Sequence, residues 1–312
     1  MKILITGAAG FIASHVSDAY LEAGHEVVVV DNLSTGYKHN INPKAKFYKI
    51  DICSPDLDRV FEAERPDIVN HHAAQVSVPL SVEDPLNDAR INVLGLVNIL
   101  QSCVKHSVKK VIFISSGGAI YGEAEEYPTT ENYQPKPLSV YAINKMVGES
   151  YLAFYHHQYG LNYTVLRYAN VYGPRQVSHG EAGVVSIFVQ KLLAGETPTL
   201  NSYPEDPNGM IRDYVYVKDV VKANLLALQT GEQKAFNIGT GIETHTRALY
   251  DEICTQLGLD VNPISALARK GDLKRSLLDW SKAAVELGWK PDHDLQQGIR
   301  ETIEFFKSEN KR

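Results

Sequence analysis

The first thirty-one residues constrain this chain more than any other stretch. Lys2-Ile-Leu-Ile-Thr6 is a short, continuous apolar run, the pattern of a strand buried on both faces of a parallel sheet. It runs directly into Gly7-Ala-Ala-Gly10-Phe-Ile-Ala13, from which a helix is predicted to Gly24. A glycine turn between strand and helix points backbone N–H groups and the positive end of a helix at one place, which suits a pyrophosphate. Ala13 stands where a third glycine often sits; that position governs helix–strand packing, so a small residue serves. The next strand, Glu26-Val-Val-Val-Val30, ends at Asp31, about 20 residues beyond the glycines, where a carboxylate accepts from ribose hydroxyls. A carboxylate there repels a 2′-phosphate, and no arginine follows it closely, so the predicted cofactor is NAD rather than NADP.

The same alternation continues. Phe47-Tyr-Lys-Ile50 leads to Asp51-Ile52, a third strand with an acid at its end, placed to hold an adenine amino group. Asp67-Ile-Val-Asn70 leads to His71-His-Ala-Ala-Gln75, whose small Ala73 and Ala74 admit close approach of backbone to a ligand. His71 and His72 have no third ligand at metal spacing, so no metal is expected. A helix is predicted from Asn87 to His106, containing Asn92. Lys110-Val-Ile-Phe-Ile114 is a strand ending in Ser115-Ser116-Gly117-Gly118, again at a carboxyl end, where open α/β sheets bind ligands. Thr164-Val-Leu-Arg167 is one more strand. Six strand–helix repeats in about 165 residues predict an α/β fold, a doubly wound parallel sheet.

Within that frame, Pro137-Leu-Ser-Val-Tyr-Ala-Ile-Asn-Lys145 opens the helix suited to chemistry. Ser139 is a good N-cap, and the pattern runs to Gly160, a common residue just past a helix end. Tyr141 and Lys145 are four apart and share a helix face. Bringing a phenol from its ordinary pKa of about 10 to about 7 takes about 4 kcal/mol. A unit positive charge at about 4 Å supplies about that much at an effective dielectric of about 20. The lysine is therefore expected nearly to suffice, with a positively charged nicotinamide adding to it.

After about residue 170 the pattern changes. Asn170-Val-Tyr-Gly-Pro-Arg175 and Asn201 to Gly209 are rich in turn residues, with short helices predicted over Gly183 to Ala194, Val217 to Thr230 and Thr246 to Leu257. Arg212, Arg269 and Arg275 are candidate anion clamps, through bidentate guanidinium donors. The change suggests a smaller second domain over the sheet's ligand edge. The 312 residues carry a formal net charge of −6, which argues against a nucleic-acid binder relying on bulk charge. Three scattered cysteines suit a reducing compartment; with no apolar run of membrane length and no signal-peptide pattern, a cytoplasmic protein is expected.

Taken together, these residues resemble the extended short-chain dehydrogenase/reductases and, more narrowly, the NAD-dependent UDP-galactose (UDP-glucose) 4-epimerases. The carriers span nearly the whole chain: Thr6-Gly-Ala-Ala-Gly-Phe-Ile12, Asp31-Asn32, Asp51-Ile52, His72-Ala-Ala-Gln75, Asn92, Ser115-Ser116 before Gly-Gly-Ala-Ile-Tyr-Gly122, Tyr141-x-x-x-Lys145, Arg167 to Arg175, Arg212-Asp-Tyr-Val215 and Arg269-Lys-Gly-Asp272. The resemblance implies a Rossmann NAD-binding domain over 1–170, with a return segment near 211–240, and a nucleotide-sugar-binding domain over 171–312. It implies Tyr141 as base, Lys145 holding the nicotinamide ribose and lowering the Tyr141 pKa, and Ser116 hydrogen-bonding the sugar O4. For the cofactor it implies Gly7, Gly10, Phe11, Ile12, Asp31 and Asn32, then Ser34, Thr35, Gly36, Asp51 and Ile52. Ala73, Ala74, Gln75, Asn92, Ser115 and Tyr168 complete that set, together with Tyr141 and Lys145. For the substrate it implies Ser116, Tyr141, Asn170, Val184, Arg212, Arg269, Asp272 and Ser276. Gly117-Gly118 stands where related dehydratases carry acids, which favours simple oxidation and reduction at C4. Ser276 replaces a large aromatic residue associated with excluding N-acetylated sugars, so UDP-N-acetylhexosamines are expected to fit. The family also implies a homodimer through the helices beginning near Asn87 and Tyr141.

Overall fold

The computed structural model describes residues 1–177, 183–269 and 271–309. Its first strand, β1 (Lys2–Thr6), is buried on both faces, as its unbroken apolar run requires. Ile3 and Ile5 pack with Val16, Tyr20 and Phe236, while Leu4 points the other way, to Val28, Phe61 and Ile99. The strands β2 (Glu26–Asp31), β3 (Lys46–Lys49), β4 (Ile68–His71), β5 (Lys110–Ser116) and β6 (Asn162–Tyr168) join it in one parallel sheet. A seventh strand, Lys234–Ile238, pairs with β6. The spatial order is Lys234–Ile238, β6, β5, β4, β1, β2, β3. This is the doubly wound α/β sheet that the strand–helix alternation predicts. The order turns back between β1 and β4, so a crevice opens beyond their carboxyl ends.

The covering helices are α1 (Phe11–Glu22), α2 (Leu57–Glu64), α3 (Val78–Glu83), α4 (Pro85–Ala89), α5 (Gly95–Lys105), the short α6 (Gly117–Ile120) and α7 (Val140–Tyr159). The helix predicted over 87–106 is less regular than its periodicity suggests. It begins at Pro85 and is interrupted by a π-helical turn over Arg90–Leu94. In α7, Ser139 Oγ accepts from the Ala142 N–H at 3.2 Å, and Gly160 ends the helix at φ +70°. Gly148 lets α7 lie against β5: a Cβ there would sit 2.7 Å from the Phe113 ring. That close approach carries Tyr141 and Lys145 to the sheet edge.

Beyond Asn170 a third apolar cluster forms around Tyr172, Phe188, Tyr216, Tyr250, Ile299 and Phe306. It holds the helices Val184–Leu193, Thr246–Leu257 and Leu295–Glu309. Between these elements the chain returns to the sheet: helix Val217–Ala227 packs on α1 before the seventh strand. Among the described residues, no helix is long and apolar enough to cross a membrane.

Candidate active site

A cavity of about 650 Å3 occupies the crevice where the strand order turns back. Its floor is the glycine turn. Gly7 has φ +76°, and a Cβ there would meet the Ala73 backbone nitrogen at 2.8 Å, so the turn and the β4 end approach as closely as only glycine permits. Helix α1 starts at Gly10 with no side-chain cap and no acid in its first turn, which leaves its N-terminal N–H groups and partial positive charge toward the cavity. Thr6 Oγ1 lies 2.8 Å from His71 Nδ1 and accepts from the Ala73 N–H at 3.1 Å, which ties the two strand ends together. Burial, then the Lys145 charge, pushes His71 well below the ordinary histidine range. Its ring is therefore neutral, and which of the pair donates follows the tautomer.

Asp31 is pinned beside this turn. Its Oδ2 accepts from the Ala9 N–H at 3.0 Å and its Oδ1 from the Leu33 N–H at 2.7 Å, leaving further lone pairs for hydroxyl donors. Asn32 donates to Asp51 Oδ2 at 3.0 Å, and Cys53 N–H to Asp51 Oδ1 at 2.8 Å. Burial raises the Asp51 pKa, but these bonds outweigh it and the net shift is downward. Gly36 presses on Ala9, where a Cβ would lie 2.6 Å from the Ala9 carbonyl carbon, so the segment holding Ser34 and Thr35 folds over the glycine turn.

At the other end stand Ser115, Ser116, Tyr141 and Lys145. Lys145 Nζ donates to the Ile114 carbonyl at 2.9 Å and lies 5.8 Å from the centre of the Tyr141 ring. Ser116 stands near enough to the Tyr141 phenol to favour its ionised form, and the Tyr141 backbone N–H donates to Ser81 Oγ at 3.1 Å. One expectation is corrected here. Tyr141 is not lowered by its lysine: burial pushes it up to about 12, opposed by Ser116 and assisted by the charge of Asp88. The arithmetic from spacing omitted the desolvation of the phenolate. Lys145 itself is brought down to about 8 by burial, with Asp88 and Glu149 acting upward.

Most of the residues anticipated for cofactor and substrate line this one cavity: Gly7, Gly10, Phe11, Ile12, Asp31, Asn32, Ser34, Thr35, Gly36, Asp51, Ile52, Ala73, Ala74, Gln75, Ser115, Tyr168, Asn170 and Val184, beside Ser116, Tyr141 and Lys145. Tyr168 is fixed by Asn224, whose Nδ2 donates to its hydroxyl at 2.6 Å. Asn92 does not line the cavity. It clamps the wall instead, its Oδ1 accepting from the Gln75 N–H and its Nδ2 donating to the Gln75 carbonyl, both at 3.0 Å. Ser276 lies one layer out: a Cβ on Gly118 would be 3.4 Å from Asn170 Oδ1 and 3.9 Å from Ser276 Oγ. The Ser276 N–H donates to the Ile211 carbonyl at 3.1 Å, which sets Arg212 beside it. Arg269 and Asp272 form a turn of their own, the Arg269 N–H donating to Asp272 Oδ2 at 3.1 Å. Lys270 of that motif lies outside the described residues. Arg275 is committed elsewhere, paired with Glu243 and stacked 4.5 Å over the Tyr127 ring.

Sequence reasoning passed over Leu80, Tyr172, Gln176, Gly183 and Tyr214, which also line the cavity, as does His72, considered above only as a metal ligand and within the His72-Ala-Ala-Gln75 motif. Of these, Gly183 had a local signal, a glycine at a predicted helix start; its φ is +88°. Among the described residues, no three metal-binding side chains are grouped to hold a metal ion.

These features fit a dinucleotide: a helix N-terminus and a strained glycine turn for the pyrophosphate, and a fixed carboxylate at each of two strand ends for the adenosine half. The comparisons agree. Residues 3–239 match the NAD dependent epimerase/dehydratase family. The chain is 46% identical over 309 residues to a putative UDP-glucose 4-epimerase of Methanocaldococcus jannaschii, covering 99% of each. It is similar to the crystal structure of UDP-glucose 4-epimerase with UDP-glucose from Thermotoga maritima, at a TM-score of 0.96 and 47% identity, covering 99% of this chain and 100% of that one. A UDP-N-acetylglucosamine 4-epimerase from Methanobrevibacter ruminantium, in complex with UDP-N-acetylmuramic acid, follows at a TM-score of 0.92 and 35% identity, covering 99% and 98%. With the glycine turn, the acidic strand end and the Tyr141–Lys145 pair on one cavity, the chain belongs to the NAD dependent epimerase/dehydratase family.

Proposed function

We propose that this protein is a UDP-hexose 4-epimerase that keeps NAD bound through its cycle. The observation that carries the reading is Ser116, Tyr141 and Lys145 converging at one end of a cavity whose other end fits a dinucleotide. When bound, NAD supplies a reversible hydride acceptor for C4 of the sugar. Tyr141 takes the O4 proton and later returns it; burial opposes its phenolate, which the positive charge of a bound nicotinamide beside the Lys145 ammonium would favour, and Ser116 holds O4 and Tyr141 in one hydrogen-bonded line. Lys145 contributes its charge and holds the nicotinamide ribose. Gly7, Gly10, Phe11 and Ile12 hold the pyrophosphate, and Asp31, Asn32 and Asp51 the adenosine half. Asn170, Val184, Arg212, Arg269 and Asp272 grip the uridine diphosphate, so the sugar turns on its tether while remote binding energy keeps it in place.

A dehydratase or another sugar-modifying relative is the second reading, and the site disfavours it. Gly117 and Gly118 follow Ser116, and the first acid beyond, Glu123, is engaged by the Lys274 N–H. Ser276 is small and stands behind Gly118, one layer from the cavity, and on that ground the N-acetylated pair is included among the substrates. A homodimer is part of the proposal: Leu86 is 82% exposed and Leu94 61%, on the helical stretch beside α7, where Ile143 and Phe154 are also exposed. Its setting is galactose metabolism in the cytoplasm.

Purified protein mixed with UDP-galactose, without added NAD, is expected to form UDP-glucose. Absence of product with UDP-hexoses and UDP-N-acetylhexosamines alike, even after NAD is added, overturns the reading.

A further inference from the structure

Two carboxylates act on Lys145, buried Asp88 and half-buried Glu149, and their surroundings differ. Glu149, one turn further along α7, is matched by a cation: Arg167 Nε donates to its Oε1 at 3.0 Å and Arg167 Nη2 to its Oε2 at 2.6 Å. Ser115 Oγ adds a third bond at 2.6 Å. Among the described residues, Asp88, on α4, has no cation within ion-pair distance. It is fully buried, and its hydrogen bonds come from three neutral amides. Gln75 Nε2 donates to Oδ2 at 2.6 Å; Asn144 Nδ2 and Asn92 Nδ2 donate to Oδ1 at 2.7 and 3.1 Å. A buried charge needs compensation, and amide dipoles supply only part of it. The cation that feels Asp88 is Lys145, and Tyr141 feels it as well.

We infer that Asp88 is the counter-charge of Lys145, a positioning residue that keeps Lys145 an ammonium and restrains the ionisation of Tyr141. The inference rests on the epimerase reading for its kinetic consequence. Lys145 is faced by Asp88 from α4, by Glu149 and Tyr141 on its own helix, and by His71 and His72 from the β4 end. Glu149 is balanced by Arg167, and both histidines are held neutral, chiefly by burial. Asp88 is therefore the charge left to balance the ammonium. The same carboxylate joins three parts of the site. Gln75 is cavity wall, Asn92 clamps the Gln75 backbone, and Asn144 precedes Lys145.

The sign of the effect is fixed by charge. A carboxylate favours the protonated form of both neighbours, so its removal lowers both the Lys145 and the Tyr141 pKa. Asp88→Asn keeps the shape and removes the charge. Its pH–rate profile for UDP-galactose is expected to move about one pH unit toward acid on both limbs. Ultraviolet difference titration, with Tyr141→Phe as the blank, follows the Tyr141 phenolate without turnover and is expected to show the same displacement. Asp88→Glu retains the charge and should leave both limbs in place even where its maximal rate falls. Asp88→Ser, a smaller neutral replacement, gives the same readings should the amide variant fail to fold. A uniform loss of rate in the neutral variants, with limbs and phenolate titration unmoved, overturns the inference and makes Asp88 structural. Absence of turnover in the wild type overturns the epimerase reading instead, and the phenolate titration still decides the role of Asp88.

Discussion

The two ends of the cavity are built in different ways. The dinucleotide end comes mostly from residues 7–36, with Asp51 and the Ala73–Gln75 stretch beside them, and much of its work is done by backbone: a glycine turn, a helix N-terminus and an Asp31 carboxylate held by N–H groups. The chemical end draws Ser116, Tyr141 and Lys145 from β5 and α7, Asp88 from α4, and Ser276 from beyond the turn-rich region. Each of these is placed by contacts between elements far apart in sequence. The lesson is that binding here depends on shape, where an added atom does harm, whereas chemistry depends on side chains, where a removed atom does harm.

The largest effect should come from removing one atom at the chemical end. Tyr141→Phe is expected to lose about 1,000-fold or more in turnover, the scale of a general base. It should keep its NAD, measured as nucleotide released on denaturation; a near-normal rate would break the contrast. The reverse experiment adds one carbon at the dinucleotide end. Gly7→Ala forces a side chain into positive φ and against the Ala73 backbone, at a cost of about 2 kcal/mol or more. Lower thermal stability and loss of retained NAD are expected, and unaltered NAD content would show that the turn tolerates bulk. The smallest effect sharpens the sugar side alone. Ser276→Tyr should reduce turnover of UDP-N-acetylgalactosamine about tenfold relative to UDP-galactose. Equal losses on both substrates would place Ser276 outside the pocket's selectivity.

Legibility in the sequence follows the same division. The sheet was readable because strands buried on both faces must be apolar throughout, and the glycine turn because its conformation restricts residue identity. Tyr141 and Lys145 were readable because helix spacing alone puts them on one face. Asn92 was visible as a residue but not as a clamp, because its partner, the Gln75 backbone, lies 17 residues away across a π-helical turn. Asp88 left no local trace. An aspartate near a helix start reads as a cap or a solvated acid, and only packing buries it among three amides.

By itself, then, the amino-acid order determined the parallel sheet, the dinucleotide turn, the acidic strand end and the face shared by Tyr141 and Lys145, because each depends on interactions within a few residues or one turn. The tertiary structure alone decided the protonation balance of the site. That balance depends on desolvation and on charges from other elements, and it placed Tyr141 near 12 where the spacing argument put it near 7. Burial is a property of the assembled fold, and no stretch of sequence carries it.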